Sequence, residues 1–279
     1  MVDLCDVVEI HPRLNLKQVR MVKKVFKAFT AVILLIMSIE SFGQVPNLGT
    51  ASSFALFTGT GTFGNNGATV ITGDIGSNLN PITGIPSPGS VIGQSHVADA
   101  VSAIVASDVS IAYSFLAGIT DITVIGVTLG NGQVLTPDVY SLGGASTLNG
   151  ELVLDGENNP DALFIFKING ALSASKLSII KLIRYASLCN VYWQVNGAFE
   201  LGDSSVFKGT ILTTGSINLL EGSSLLGRGL STSGAISLYN NVVTINSITA
   251  SVIAASGVTT FCEGNSVVLS GNNGGIWSN

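Results

Sequence analysis

The stretch of sequence that decides the fold is a repeated pattern, found in Gly197-Ala-Phe-Glu-Leu, Gly215-Ser-Ile-Asn-Leu and Gly234-Ala-Ile-Ser-Leu. Phe199, Ile217 and Ile236 occupy matching positions at intervals of 18 and 19 residues. At roughly 3.3 Å per residue, one interval makes a circuit of about 60 Å, which fits a three-sided coil with about six residues on each side. Such coils bury their apolar residues only by stacking. The spacing predicts a parallel β-solenoid, with a β-sandwich of the same short strands as the alternative.

Composition agrees with a chain of many short strands. Only 10% of the residues are charged, 46% are hydrophobic, and there are 33 glycines, which favours apolar strands joined by tight turns. Less regular strands are expected upstream of the repeats, at Gly150-Glu-Leu-Val-Leu-Asp, Ala162-Leu-Phe-Ile-Phe-Lys-Ile, Leu177-Ser-Ile-Ile-Lys-Leu and Val191-Tyr-Trp-Gln-Val. The fold class predicted is therefore mostly β.

The region from Ser95 to Ala117 has helical rather than strand spacing. Ser95 is expected to cap this helix and Gly118 to end it. A wide apolar stripe predicts that the helix packs on the strands. The stripe consists of Val97, Val101, Ile104, Val105, Ile111, Ala112 and Phe115.

The repeats also predict which residues lie beside one another in successive coils. Asp203-Ser-Ser-Val-Phe aligns with Gly222-Ser-Ser-Leu-Leu, and Thr213-Thr-Gly aligns with Thr232-Ser-Gly. This alignment places Thr210, Leu212 and Thr214 one coil before Gly229, Ser231 and Ser233, and places Ser216 and Asn218 before Ala235 and Ser237.

The first 43 residues predict a leader with a secretory signal peptide. Lys23-Lys-Val-Phe-Lys precedes an apolar run from Ala28 to Met37, and cleavage is expected after Gly43. A run of about ten apolar residues is too short to cross roughly 30 Å of hydrocarbon, so no membrane span is expected in the mature chain. The protein is therefore predicted to be secreted or held at the cell surface.

Two further segments follow from the change of pattern along the chain. Residues 44–248 are predicted to form the solenoid domain. Residues 249–279 begin two alternating strands around Cys262, which predicts the truncated start of an immunoglobulin-like module. The solenoid is accordingly expected to be a monomeric domain of a longer surface protein.

Charge and cysteine usage exclude two classes of protein. From Gln44 onward there are six basic residues against 13 acidic residues, with no basic patch interleaved with aromatics, which argues against nucleic-acid binding. Three cysteines in the whole chain are too few for a disulfide-stapled scaffold.

A group of motifs in the middle of the chain resembles the microbial ice-binding protein family. The resemblance runs from about Leu48 to Ile248 and implies a discontinuous right-handed β-solenoid of triangular cross-section. It also implies that the helix at Ser95 to Ala117 lies along one side, and that one flat exposed face adsorbs to ice. The motifs are Leu48-Gly-Thr-Ala-Ser-Ser-Phe-Ala-Leu-Phe, Ile71-Thr-Gly-Asp-Ile-Gly, His96-Val-Ala-Asp-Ala, Leu135-Thr-Pro-Asp-Val-Tyr, Leu152-Val-Leu-Asp-Gly, Asn159-Pro-Asp-Ala-Leu-Phe-Ile-Phe, Cys189-Asn-Val-Tyr-Trp-Gln-Val and Phe207-Lys-Gly-Thr-Ile-Leu.

Small hydroxyl side chains on stacked strands are the expected ice contacts. Strand separation near 4.8 Å and alternate residues about 6.7 Å apart along a strand would form a regular grid of methyl and hydroxyl groups. The sequence leaves open which ladder faces outward. The residues predicted for this role are Thr58, Thr60, Thr62, Thr210, Thr213, Thr214, Ser216, Asn218, Ser231, Thr232, Ser233 and Ser237.

Catalytic and metal chemistry are weakly indicated. Asp155, Glu157 and Asp161 cluster in a Gly/Asn/Pro-rich loop that could offer calcium ligands or carboxylates for polysaccharide cleavage, although a solvated turn is the favoured interpretation. His96 stands beside Asp99 at a helix start, where packing or capping is favoured over catalysis. No enzyme activity, metal or cofactor is predicted. Adhesion or an architectural role is the alternative to ice binding, followed by a carbohydrate-active solenoid.

Overall fold

The computed structural model describes residues 45–120 and 122–245, and the backbone of two short antiparallel strands at Ala254–Ala255 and Leu269–Ser270. The predicted leader at 1–43 lies outside the described residues. So does most of the predicted module at 249–279.

The described chain between 54 and 244 is a stack of three-sided coils whose paired strands are all parallel. One side is an eight-stranded sheet. Its strands, in spatial order, are β5 (Ile82–Thr83), β2 (Phe63–Asn65), β22 (Ile236–Leu238), β20 (Ile217–Leu219), β18 (Phe199–Leu201), β15 (Leu172–Ala174), β12 (Ser146–Asn149) and β9 (Thr128–Gly130).

The second side carries the helix and is called the helix-covered face. Two long strands, β19 (Val206–Thr213) and β21 (Ser224–Ser231), contribute their second halves to it. The other strands, in spatial order, are β7 (Ser95–Val97), β4 (Asp74–Ser77) and β1 (Phe54–Thr58) on one side of the long strands, and β17 (Val191–Val195), β14 (Phe164–Ile168), β11 (Asp138–Leu142) and β8 (Thr123–Ile125) on the other.

The third side is called the mixed face, because its outward residues are apolar, polar and charged. The first halves of β19 and β21 belong to it. The other strands are β6 (Ser90–Ile92), β3 (Val70–Thr72) and β23 (Val242–Thr244) on one side, and β16 (Ile179–Ile183), β13 (Glu151–Asp155) and β10 (Gln133–Leu135) on the other.

The two long strands turn the corner between these faces at glycines. Gly209 and Gly227 have φ values of +112° and +140° and lie beside each other in adjacent strands. A Cβ on Gly227 would lie 1.9 Å from the carbonyl oxygen of Gly209. Both the backbone conformation and the spacing of the coils therefore require glycine here.

The chain follows a discontinuous path through the stack. Strand β1 pairs with β21, so the first coils stack on the last ones. The α-helix α1 (Ala100–Gly118) then leads to β8, which lies at the opposite end of the sheet. Nineteen residues of helix are about 28 Å long, roughly six strand spacings. The predicted solenoid with one long helix alongside is confirmed.

The interior is filled by apolar ladders that run from coil to coil. Phe199, Ile217 and Ile236 are in register, as the repeats predicted, and each is at most 1% exposed. Aromatic rings extend the core, since the Phe166 and Trp193 rings stack with centroids 3.9 Å apart. This continuous core stiffens the faces that surround it.

Helix α1 begins later than predicted, and its buried stripe shares only Val105 and Ala112 with the predicted one. Ser95 belongs to β7, which pairs with β4, so the residue that caps the helix is Asp99, whose side chain accepts a hydrogen bond from the Ser102 N–H at 2.7 Å. The buried stripe is Val105, Val109, Ala112 and Leu116. Ile104, Ile111 and Phe115, which were predicted to face the strands, are 52%, 62% and 38% exposed.

The end of α1 is held by a charged side chain from the sheet. Lys167 Nζ donates hydrogen bonds to the carbonyl oxygens of Ala117 and Ile119. By length and composition α1 could cross a membrane, but its buried stripe packs on Phe57, Tyr192 and other residues of the helix-covered face. The helix is thus a packed element of this domain.

The coil alignment predicted from the repeats is one residue out on two of the three sides. Ile217 pairs with Ile236 at an offset of 19, but Val206 pairs with Ser224 and Thr213 with Ser231 at an offset of 18. The extra residue lies in the corner between Ser231 and Ile236. A slip of one residue moves a side chain to the opposite surface of a strand. The predicted alignments of Asp203-Ser-Ser-Val-Phe, Thr210, Leu212 and Thr213 are therefore wrong, since Thr210 pairs with Arg228 and Leu212 with Leu230.

Candidate functional site

The eight-stranded sheet has an outer surface made almost entirely of small side chains, which we call the small-residue face. Two outward ladders run across its coils, and none of their members is buried. The first ladder is Thr62, Ala235, Ser216, Ala198, Ala171 and Ala145. The second ladder is Thr83, Gly64, Ser237, Asn218, Glu200, Ser173, Thr147 and Thr128.

Backbone hydrogen bonds hold the first ladder in register. The Ile217 N–H donates to the Ala235 carbonyl at 2.8 Å, and the Phe199 N–H donates to the Ser216 carbonyl at 2.7 Å. Adjacent members of a ladder are therefore one strand spacing apart, about 4.8 Å, and the two ladders are about 6.7 Å apart. The eight members of the second ladder extend for about 34 Å, and the six members of the first ladder extend for about 24 Å.

A column of glycines lets the coils approach closely at the edge of this face. A Cβ on Gly234 would lie 1.9 Å from the carbonyl carbon of Gly215, and a Cβ on Gly215 would lie 2.4 Å from that of Gly197. Backbone therefore packs directly on backbone where each coil enters the sheet. This explains why the repeated pattern begins with glycine, and it keeps the following small residues level from coil to coil.

A ladder of buried hydroxyls fastens the same corner. Ser231 Oγ donates to the Gly215 carbonyl at 2.8 Å and accepts from the Gly234 N–H at 2.7 Å. Thr58 Oγ1 does the same one coil away, with the Gly234 carbonyl and the Gly61 N–H. Thr213 Oγ1 bonds the Gly197 carbonyl in the next coil.

Four of the predicted contact residues are therefore excluded from contact with an external surface. Thr58, Thr213 and Ser231 are 0% exposed because their hydroxyls point inward to link coils. Thr210 is 1% exposed and lies on the helix-covered face. The prediction was wrong for these four, since alternation along a strand does not reveal which alternate set faces inward.

Four other predicted residues lie at the corner beside the small-residue face. Thr60 and Ser233 are exposed, and their hydroxyls donate to the carbonyls of Ser233 and Thr214 at 3.2 and 2.7 Å. Thr214 and Thr232 are half-buried. These residues border the grid without belonging to either ladder.

The last four predicted residues, Thr62, Ser216, Asn218 and Ser237, are members of the two ladders. Sequence reasoning missed most of their neighbours. A usable signal was present, because Gly144-Ala-Ser-Thr and Gly170-Ala-Leu-Ser share the order glycine, small residue, core residue, small polar residue with the later repeats. The alanines were not among the predicted contacts because that prediction rested on polar side chains.

Two features interrupt the small-residue face. Glu200 is the only charged side chain in the two ladders and stands between Asn218 and Ser173. Gly64 leaves a dent of about 200 Å³, which is lined by Thr83, Ser237 and Tyr239 among others. The grid is otherwise uncharged and continuous.

The acidic loop that suggested calcium or catalysis is organised as a structural corner. Asp155 is 6% exposed and accepts a hydrogen bond from Arg184 Nε at 2.6 Å. Arg184 holds the pKa of Asp155 below its usual value. Glu157 and Asp161 are exposed. In residues 45–120 and 122–245 no group of three or more His, Cys, Asp or Glu side chains could hold a metal ion.

His96 is part of the start of α1. Its Nδ1 lies 2.9 Å from Asp99 Oδ2, and its ring packs 5.5 Å from the Phe54 ring. Two hydrogen bonds lower the pKa of Asp99, and the bond from the Ser102 N–H has a larger effect than the bond from His96. These contacts agree with the capping interpretation of this residue pair.

Comparisons with known proteins agree with this geometry. An ice-binding protein of Nostoc sp. (strain HG1) is 37% identical over 225 residues, covering 76% of this chain and 81% of the relative. An ice-binding protein of Flavobacterium frigoris (strain PS1) is 31% identical over 215 residues, covering 71% and 76%.

Solved structures show the same fold. The crystal structure of an ice-binding protein from the Antarctic ascomycete Antarctomyces psychrotrophicus matches with a TM-score of 0.68 and 32% identity, covering 72% of this chain and 98% of that one. An ice-binding protein from an Antarctic biological consortium matches with a TM-score of 0.70 and 32% identity, covering 72% and 91%. The family model described as ice-binding-like matches residues 57–244, and the chain belongs to that family.

Proposed function

We propose that this protein binds ice through the small-residue face and thereby inhibits ice growth or recrystallisation. The observation that carries the proposal is the two-ladder grid, where all but one of the outward side chains are uncharged and none is larger than Asn apart from Glu200. An ice surface is made of water molecules at fixed spacings. A rigid array of methyl and hydroxyl groups can order water over its whole length without first desolvating charges.

The helix-covered face does not serve this purpose. Leu212, Leu230 and Tyr192 of that face pack on α1 and are at most 5% exposed. Because the helix lies across these strands, a flat external surface cannot reach them. The small-residue face, by contrast, has no described element packed over it.

The proposed role is binding without chemical catalysis, in an extracellular setting. Within the two ladders Glu200 is the only ionisable side chain, so they lack the pair of carboxyl groups with which polysaccharide hydrolysis supplies an acid and a base. The basic and then apolar order from Lys23 to Met37 supports secretion or display at the cell surface. We further propose that the solenoid acts as a monomeric unit of a longer surface protein.

A single substitution in the centre of the grid tests the proposal. Ser216 lies in the first ladder, and replacing it with tyrosine places a large ring above the plane. Because a raised side chain keeps neighbouring coils away from a flat surface, Ser216→Tyr should abolish most of the thermal hysteresis and recrystallisation inhibition of the full chain.

The matched control is Ser110→Tyr, the same exchange at an exposed position of α1. Serine and tyrosine have similar helix propensities, so α1 should remain folded. Because Ser110 is not part of the small-residue face, this variant should retain full activity. Circular dichroism of both variants establishes that they are folded. Equal activity of Ser216→Tyr and the wild-type protein would remove this face from the proposal, and an inactive wild-type protein would refute ice binding itself.

A further inference from the structure

A second uncharged grid lies on four neighbouring strands of the mixed face, and we call it the uncharged patch. Strands β6, β3, β23 and the first half of β21 follow one another in register. Each contributes two outward side chains separated by one inward residue. The patch consists of Ser90 and Ile92, Val70 and Thr72, Val242 and Thr244, and Ser224 and Leu226.

The patch repeats identical side chains from one coil to the next. Val70 lies beside Val242, and Thr72 lies beside Thr244. The intervening Ile71 and Val243 are 0% exposed, so they point into the core. The outward valines are 41% and 45% exposed. The patch thus has the strand spacing of the small-residue face, and its outward side chains likewise occupy alternate positions along each strand. These side chains present methyl and hydroxyl groups.

The uncharged patch ends where charged residues begin. Lys208 follows Leu226 in the same ladder, and Lys181 and Glu151 lie on the next two strands of this face. The mixed face therefore has one half suited to uncharged, ordered water and another half with solvated charges. The boundary lies between β21 and β19, and the junction of the last coil with the first, where β23 pairs with β3, lies inside the uncharged patch.

The dimensions favour ice over a protein as the occupant. Four strands and two positions along each give a footprint of about 15 by 7 Å between side-chain centres, well below the roughly 800 Å² that each partner buries in a stable protein interface. The patch also has no charge with which to select a protein partner. A crystal surface needs no groove or matching charge, and it continues beyond the patch.

We propose that the uncharged patch is a second ice contact, on a face that points in a different direction from the small-residue face. The inference rests on the proposed ice binding of this chain and adds a second site to it. Because the two faces share the coils of β2–β3 and β22–β23, one molecule can engage differently oriented ice planes without any change of shape.

The test compares the ice planes that are decorated by the full chain fused to a fluorescent protein. In Ser216→Tyr/Asn218→Tyr the small-residue face is blocked, and in Thr244→Lys a charge is placed in the uncharged patch. Val134→Lys is the matched control, since Val134 is 55% exposed at the charged end of the same mixed face. Circular dichroism verifies that each variant is folded.

We expect the double variant to keep adsorbing to one set of planes. Adding Thr244→Lys to the wild-type chain or to the double variant should remove that set, while adding Val134→Lys to either should change nothing. Complete loss of adsorption in the double variant would overturn the second contact and leave the proposed function intact. Unchanged planes in Thr244→Lys would also overturn it. If Thr244→Lys lost all adsorption while the double variant adsorbed like the wild-type chain, the principal site would instead lie on the mixed face. A wild-type chain that decorates no plane would refute both proposals.

Discussion

Replacing Ser231 with alanine should destabilise the solenoid without altering its ice-contacting surface. Ser231 is 0% exposed, and its hydroxyl joins the Gly215 carbonyl of one coil to the Gly234 N–H of its own coil. Alanine leaves both backbone groups without these partners. Each lost hydrogen bond costs about 0.5–1.5 kcal/mol, and a polar group left unsatisfied costs up to about 3 kcal/mol. We therefore expect a loss of about 2–3 kcal/mol in the free energy of unfolding.

Thermal unfolding followed by circular dichroism measures this loss. For a domain of this size about 1 kcal/mol corresponds to roughly 2–4 °C, so Ser231→Ala should lower Tm by about 5–10 °C. Ser231→Thr is the matched control, because the equivalent positions in the adjacent coils are Thr58 and Thr213. It should unfold within about 2 °C of the wild-type protein. If Ser231→Ala and Ser231→Thr had the same Tm, the hydroxyl would not link the coils. If folded Ser231→Ala lost its ice activity, Ser231 would belong to the contact surface after all.

Three further outcomes follow from the interruptions and corners of the coil. Glu200→Ser should raise adsorption affinity for ice about tenfold, which corresponds to about 1.4 kcal/mol of avoided desolvation; unchanged recrystallisation inhibition would show that the carboxylate stays clear of the contact. Gly64→Ser should change stability by less than about 0.5 kcal/mol, because the added Cβ would lie 3.4 Å from Thr83 Oγ1, and it should strengthen inhibition by adding a hydroxyl group to the second ladder at the dent; weaker inhibition would contradict a continuous grid. Asp155→Asn should flatten the acid side of the stability profile. The pKa of Asp155 is lowered by Arg184, so its contribution is present above about pH 4 and is lost as the pH falls further, and a Tm profile unchanged by the substitution would contradict this linkage.

The repeats were sufficient to predict the coil because apolar residues at a constant interval must stack. The same repeats could not place the extra residue of the longer interval. Matching Thr213-Thr-Gly with Thr232-Ser-Gly by residue type gave a slip of one position, whereas the structure pairs Thr213 with Ser231. Register in this sheet is decided by which side chains fit inside, and similarity of hydroxyl residues in a corner carries no such information.

The candidate site was predicted only in part for a related reason. A hydroxyl on an outward strand position and a hydroxyl that links two coils come from the same residue types. Ser216 and Asn218 lie in the grid, while Ser231 is buried, and only the placement of the glycines beside them distinguishes the two cases. Helix α1 shows the same limit, since Ile104 and Val109 are equally apolar but only Val109 faces the sheet.

The pairing of β1 with β21 has a consequence for the order in which the protein folds. Thr58 lies beside Ser231, so strands separated by more than 170 residues must meet before the first coils acquire their second neighbour. Contacts between segments so distant in sequence form late in folding, because the entropic cost of closing the long loop between them arises before pairing contributes any stability. During synthesis β1 therefore keeps one edge unpaired until the ribosome has released β21, the strand that pairs with it.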